Sequence, residues 1–236
     1  MTTTNKEVCI FGNGKSLEKF DFLKIDRNKY DIIGTGMAFR YWNKIDWFPN
    51  IYVNVDTVVC QNPEVIKFVK EEKCQFYILS KSMLQIDQTL NPEKCLFIED
   101  LLQFPASSFK YVRNWCSGTA AVVCSLDRYY KLHLFGFDCD YVEFIPECIE
   151  NVDGTLTIER TPDVNPNYFF NDYQRAGDNY NKPNGQRIHM TSWKELSYII
   201  EFLNKMWSEN PIEVTNYSSK TSISKYFSTK FLSEFH

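Results

Sequence analysis

Only three histidines occur in the 236 residues, at 133, 189 and 236, so the side chain best suited to taking a proton near neutral pH is scarce. No Cys-x-x-Cys pair exists among the eight cysteines at 9, 60, 74, 95, 116, 124, 139 and 148, and no cleavable signal precedes the first apolar run. This usage predicts reduced thiols in a cytoplasmic protein, most of them filling the core. There is no basic excess: the net charge is −4 and the pI about 5.5, which argues against nucleic acid as the main partner. No apolar stretch approaches the ~20 residues of a membrane span. The Gly-x-Ser-x-Gly elbow is missing too, which disfavours a serine hydrolase.

What is there reads as one α/β domain, spanning residues 1–236, with a substantial core. Short apolar runs at Val8–Phe11, Tyr30–Gly34, Ile51–Val55, Gln75–Leu79, Cys95–Ile98 and Lys131–Phe135 alternate with helical segments, notably Pro63–Lys70 and Thr119–Tyr130. That alternation predicts a mostly parallel sheet covered by helices on both faces. From 139 to 188 the periodicity disappears into Asn, Asp, Pro, Tyr and Phe, and the stretch reads as a polar lid. Ser192-Trp193-Lys194-Glu195 then reads as a capping box that opens a helix with an apolar stripe at Trp193, Leu196, Ile200, Leu203 and Trp207. A strand at Ile212–Thr215 and a last helix near Ser224–Leu232 complete the reading.

The first strand runs into Gly12-Asn13-Gly14-Lys15-Ser16-Leu17, a glycine turn before a helix start, which is how a chain cradles an anion with its backbone N–H groups. It is neither a Walker A loop, which needs glycine where Cys9 stands, nor the dinucleotide fingerprint, which needs glycine at Leu17. A tight structural turn is the alternative. Gly12, Asn13, Gly14 and Ser16 are therefore nucleotide-binding candidates. A second small-residue turn, Cys116-Ser117-Gly118, also opens a helix, so Ser117 and Gly118 join them. Gly36, and Asn54 and Asp56 at the end of a strand, lie where open α/β sheets bind ligands. Asp138-Cys139-Asp140 follows another strand, and two readings stay open. Either the two carboxylates hold a divalent cation, or Asp138 accepts hydrogen bonds from the glycine turns while Asp140 is solvated.

His133 lies mid-strand among Leu132, Leu134 and Phe135, the setting of a hydrogen-bonded core residue. His189 stands at the end of the lid, a few residues ahead of the capping box. There the positive end of a helix favours the neutral, proton-accepting imidazole. A catalytic base and a structural capping residue are both open to it.

Taken in order, these segments resemble the bacterial sialyltransferases of glycosyltransferase family 42 and the related proteins that include a 6-hydroxymethylpterin diphosphokinase branch. Ile10 to Leu17 is similar to the family's Gly-Asn-Gly-Pro-Ser-Leu opening. Ser117-Gly118, its Ala-rich helix and Leu134-Phe135-Gly136-Phe137-Asp138 are similar to the Thr-Ser-Gly segment and Gly-Ile-Asp turn. Ile188-His189 stands where the family carries its catalytic histidine, and Asn216 to Ser222 resembles a closing Asn/Ser-rich turn. The resemblance implies a Rossmann-like fold, a GT-A variant, that moves a sugar from a nucleotide-activated donor to a glycan hydroxyl with inversion. His189 would be the base; the family uses lid tyrosines to stabilise the leaving phosphate, and Tyr168, Tyr173 and Tyr180 are the candidates for them here. No cofactor is required unless the donor is a nucleoside diphosphate sugar, which Mg²⁺ or Mn²⁺ would bridge through Asp138 and Asp140. A diphosphokinase-like transferase and a non-catalytic nucleotide- or glycan-binding module are the alternatives. The oligomeric state is left open, a homo-oligomer included.

Overall fold

A computed structural model of the chain describes residues 6–101, 116–142, 144–181, 185–206, 209–218 and 221–235, with backbone only for 185–190. The chain runs β1 (Glu7–Phe11), β2 (Tyr30–Thr35), α1 (Phe39–Ile45), β3 (Ile51–Asn54), α2 (Pro63–Lys70), β4 (Phe76–Leu79), β5 (Cys95–Phe97) and α3 (Ile98–Leu101). It continues through α4 (Ser117–Ser125), β6 (Lys131–Phe135), β7 (Cys148–Glu150), β8 (Thr155–Ile158), β9 (Asn179–Asn181), α5 (Gly185–Met206), β10 (Glu213–Asn216) and β11 (Ser228–Thr229). Eight strands form one sheet in the order β11-β10-β6-β1-β2-β3-β4-β5, every pair parallel. This is the expected Rossmann-like α/β architecture.

Alternation along the strands divides the core into two layers. Val8 and Ile10 turn to one face with Ile33, Val53, Leu132 and Leu134, where α4 and α5 cover them through Ala120, Ala121, Trp193, Leu196 and Ile200. Cys9 and Phe11 turn to the other with Ile32, Tyr52, Tyr77 and Phe135, under Phe39 and Trp42 of α1 and Val65 and Phe68 of α2. Gly34 makes room for Trp42: a Cβ there would sit 2.2 Å from its ring. Helix α2 starts and stops where its sequence says. The Asn62 side chain accepts from Glu64 N at 2.9 Å, Pro63 takes the first turn, and Lys67 and Lys70 stand near the negative end. Five of the eight cysteines are buried and all eight are free thiols. Among the described residues no helix is long and apolar enough to cross a membrane.

Four expectations change, the first being that α4 ends at Ser125 and not at Tyr130. Helix α5 begins at Gly185, so Ser192 is a buried residue inside it and the capping box does not open it. No proline, and no glycine after Gly185, interrupts the run to Met206. Trp193, Leu196 and Ile200 are buried as read and Leu203 packs beside them, while Trp207 lies outside the described residues. The last helix is instead a 3-10 turn at Ser222–Lys225, strand β11 and a second 3-10 turn at Leu232–Glu234. The open edge of β10 recruits Ser228 and Thr229, opposite Thr215 and Asn216, over weak local helix propensity. Within the stretch read as aperiodic, β7, β8 and β9 form an antiparallel sheet whose strands are too short to show a period.

His133 is the core residue expected. Its Nε2 lies 2.6 Å from Glu7 Oε2, and Tyr30, Tyr217 and Phe235 enclose the ring at 5.5, 5.7 and 5.6 Å between centroids. Burial holds its pKa below the ordinary value against the upward pull of Glu7, with Lys29 and Lys131 adding to the depression. The folded chain therefore resists a proton that the unfolded chain accepts. The stability tied to this residue is full above about pH 6.5 and is lost as the pH falls below it. Melting temperature followed between about pH 7.5 and 5.5 should fall more steeply for the parent than for His133→Gln. Equal slopes would remove His133 from the account.

Candidate active site

The chain leaves β1 for β2 through β5 on one side and returns to β6 on the other, so the sheet's topological switch point lies between β1 and β6. Open α/β sheets form their crevice there, at the carboxyl ends of the strands. The seam is tight. Gly12 N donates to Phe135 O at 2.7 Å and Gly14 N to Gly136 O at 2.8 Å. A Cβ on Gly12 would lie 2.5 Å from the Gly136 carbonyl oxygen, so only glycine permits this approach. Asp138 closes the seam from behind, accepting from Ser16 N at 2.9 Å and from Ser16 Oγ at 2.5 Å. Ser218 joins the third loop, its Oγ accepting from Gly136 N at 2.8 Å and lying 3.2 Å from Ser16 Oγ.

In front of the seam opens a cavity of about 870 Å³. Of the sequence candidates, Gly12, Asn13, Gly36, Asn54, Asp56, Ser117, Gly118, Tyr168, Tyr173 and Tyr180 line it. Gly14, Ser16 and Asp138 do not; they build the turn that carries Asn13. Asp138 is turned onto Ser16, Asp140 is exposed, and neither carboxylate lines the cavity. Among the described residues no group of three or more His, Cys, Asp or Glu is placed to hold a metal.

Asn54 ends β3 and donates to the Tyr52 hydroxyl at 3.1 Å, while the Tyr52 hydroxyl donates to Gly36 O at 2.8 Å. Ser117 Oγ accepts from Val55 N at 3.1 Å, which ties the α4 turn to β3. Cys116 caps α4 with its thiol, accepting from Thr119 N at 3.4 Å. Asp56 Oδ1 accepts from Val58 N, Val59 N and the Asn181 side chain at 2.9, 3.0 and 3.0 Å, so strand β9 is fastened to the end of β3.

The three tyrosines divide in role. Tyr173 OH accepts from Met37 N at 3.1 Å and from Asn13 Nδ2 at 3.2 Å. Gly36, at φ +60°, leaves it the room, since a Cβ there would meet that hydroxyl at 2.5 Å. Tyr180 OH donates to Asp178 Oδ2 at 3.2 Å. Tyr168 stacks on Tyr173, centroids 3.7 Å apart and planes at 17°. Burial pushes all three phenols up, so each stays protonated and able to donate at neutral pH. Asn13 Nδ2 also donates to Thr35 O at 3.1 Å, whereas Asn13 Oδ1 is buried with no partner among the described residues. Such an acceptor is costly to leave unmet unless something else supplies the donor.

No family model matches the chain, and no curated protein matches it by sequence. Among solved structures it is similar to the MAf glycosyltransferase of Magnetospirillum magneticum AMB-1, with a TM-score of 0.55 and 16% identity, over 98% of this chain and 34% of that one. The fold is shared with glycosyltransferases. Two variants of the sialyltransferase CstII, a Campylobacter jejuni enzyme, also match with a TM-score of 0.50. One is in complex with CMP at 13% identity and the other is described as an alpha-2,3/8-sialyltransferase at 14%, each over 95% of this chain and 86% of that one.

His189 lies by its backbone within α5, in the second turn and not ahead of the helix, and its side chain falls outside the described residues. The lid carboxylates Asp172 and Asp178, which would otherwise be alternative bases, are engaged. Asp172 meets Lys44 at 2.6 Å and Arg175 at 2.7 Å, and Asp178 meets Arg40 at 2.6 Å. Sequence reading missed Thr35, Tyr141 and Gln174 of the lining; Tyr141, directly after Asp140, was the one with a nearby signal. Gly12→Ala should overpack the seam at a cost of about 1–3 kcal/mol, which at this chain length is a fall of several degrees in melting temperature. Calorimetry of the unliganded variant decides it, and an unchanged melting point would mean that the β1 and β6 ends separate easily.

Proposed function

We propose that the chain is a glycosyltransferase that moves a sugar from a nucleotide-activated donor to a glycan hydroxyl in a single inverting displacement. The observation that carries this reading is the cavity at the switch point, floored by the Gly12-Asn13 turn with its unmatched Asn13 Oδ1 and roofed by the Tyr168–Tyr173 stack. A ribose hydroxyl or base amino group would give Asn13 Oδ1 its missing donor. The first N–H groups of α4, at Ser117 and Gly118, have no partner within the helix, and together with its dipole they suit a phosphate. In the displacement the acceptor oxygen forms a bond to the anomeric carbon as the bond to phosphate breaks. His189 takes the hydroxyl proton, and the departing phosphate keeps its charge against α4 and the Tyr168 hydroxyl. With Asp138 held on Ser16, no step is routed through a metal.

A thermal-shift panel of CMP-, UDP-, GDP- and dTDP-sugars beside ATP tests the reading, because a ligand of the folded state raises its stability by mass action. A sugar nucleotide should raise the melting point; stabilisation by ATP alone would instead favour the diphosphokinase-like reading, and binding without turnover a non-catalytic module. Asn13→Ala should weaken that binding by about 1.5–3 kcal/mol with the fold intact. His189→Ala should lower turnover ~10²–10⁴-fold at nearly unchanged donor affinity; lost affinity with full turnover would make His189 a binding residue. Turnover should survive EDTA. Complete loss, restored by Mn²⁺ or Mg²⁺, would assign a nucleoside diphosphate donor.

A further inference from the structure

Arg40 is a guanidinium in the protein interior, its side chain 1% exposed. Its Nη1 and Nη2 meet Asp178 Oδ2 and Oδ1 at 2.6 and 2.8 Å, and Nε and Nη2 meet the two Glu64 oxygens at 3.1 and 2.7 Å. Nη1 also donates to the Tyr173 carbonyl at 2.7 Å. Asp178, 6% exposed, accepts further from Asn62 Nδ2 at 2.9 Å and from Arg175 N at 2.7 Å. Arg175 reaches Glu64 at 3.1 Å and Asp172 at 2.7 Å, and Lys44 reaches Asp172 at 2.6 Å. Three lid residues are thus bolted to α1 and α2 by alternating charges.

A buried ion pair of this kind is poor value as a stabiliser. Desolvation offsets the Coulombic gain, and two well-packed apolar residues of similar volume do as well or better. What apolar residues lack is direction. The forked contacts fix Asp178 and the Tyr173 main chain in one orientation, and the Tyr173 hydroxyl then sits on Asn13 and Met37, with Tyr168 stacked on its ring.

We propose that Arg40 and Asp178 are positioning residues that hold the Tyr168–Tyr173 stack over the Gly12-Asn13 turn, so that the ligand meets a roof already in place. The inference rests on the reading of the cavity as a nucleotide site. Its value to binding is that of a wall that need not be ordered when the ligand arrives.

The test is the double variant Arg40→Met/Asp178→Leu, which leaves neither charge buried without the other. Melting should fall somewhat, because Asn62 Nδ2, the Arg175 N–H and the Tyr173 carbonyl lose their partners, with the fold intact. Affinity for whichever of CMP, UDP, GDP and dTDP stabilises the parent should fall roughly 10–100-fold, and the near-UV circular dichroism from the stacked tyrosines should change. A double variant that keeps both parental affinity and parental near-UV signal overturns the proposal. Should it fail to fold, Tyr173→Phe leaves the ion pair and removes the hydroxyl tie; it should weaken nucleotide binding by a similar factor, and parental affinity there overturns the proposal equally. A parent stabilised by none of the four nucleotides sinks the functional reading instead, and the near-UV signal still judges whether the pair holds the stack.

Discussion

The structure depends on how closely β1 and β6 end. Their carboxyl termini meet through Gly12 and Gly136 with no room for a side chain, and backbone N–H groups at Gly12 and Gly14 reach across to Phe135 and Gly136. Because the chain diverges to opposite sides of the sheet at this point, the crevice above it belongs to both halves of the fold. Asp138, Ser16 and Ser218 lock the seam from the rear, each from a different loop. Asn13 is displayed where it is because everything beneath it is fixed.

Opposite this rigid floor stands a segment built in a different way. The floor is made from backbone contacts and undirected apolar packing, Phe11 against Phe135 and Phe137 against Trp193. The roof is made from short antiparallel strands, stacked aromatics and alternating charges. Apolar packing is undirected, whereas forked ion pairs and phenolic hydrogen bonds specify angles as well as contact. The two construction styles meet at the Tyr173 hydroxyl, which touches both the β1 turn and the turn after β2.

Much of the floor was legible in the sequence and much of the roof was not. β6 and α2 match their expected bounds, and β1 through β5 lie within a residue or so, because buried parallel strands are near-continuous apolar runs and Asn62-Pro63 marks a helix start. The Gly-Asn-Gly turn and Ser117-Gly118 were visible as small residues between a strand and a helix. The start of α5 was misplaced because Ser192 and Glu195 carry capping chemistry by spacing alone while lying inside a longer helix. Asp138 was ambiguous for a related reason: an Asp-x-Asp after a strand has the same letters whether it faces a cation or a serine N–H. The link between Asn13 and Tyr173 spans 160 residues, and no local pattern announces a contact at that separation.

Helix α4 has a consequence beyond its contacts. Its residues from Gly118 to Val123 are buried between the sheet and α5, apolar but for Thr119, whose hydroxyl ties the helix start to Cys116, so it cannot tilt or slide without opening the core layer that α4 and α5 cover. A charge arriving at its first turn meets dipoles that are already aligned and have little freedom to relax, and the reorganisation cost is met when the chain folds. Mutational tolerance follows the same division. Changes to the floor trade directly against folding, while changes to the exposed positions of the β7–β8 hairpin, which lines the same cavity, alter its shape at little cost to the rest of the molecule. On the proposed function, new substrate preferences are most accessible through that hairpin, and a new preference for the group proposed to sit at α4 is the hardest change for this fold to make.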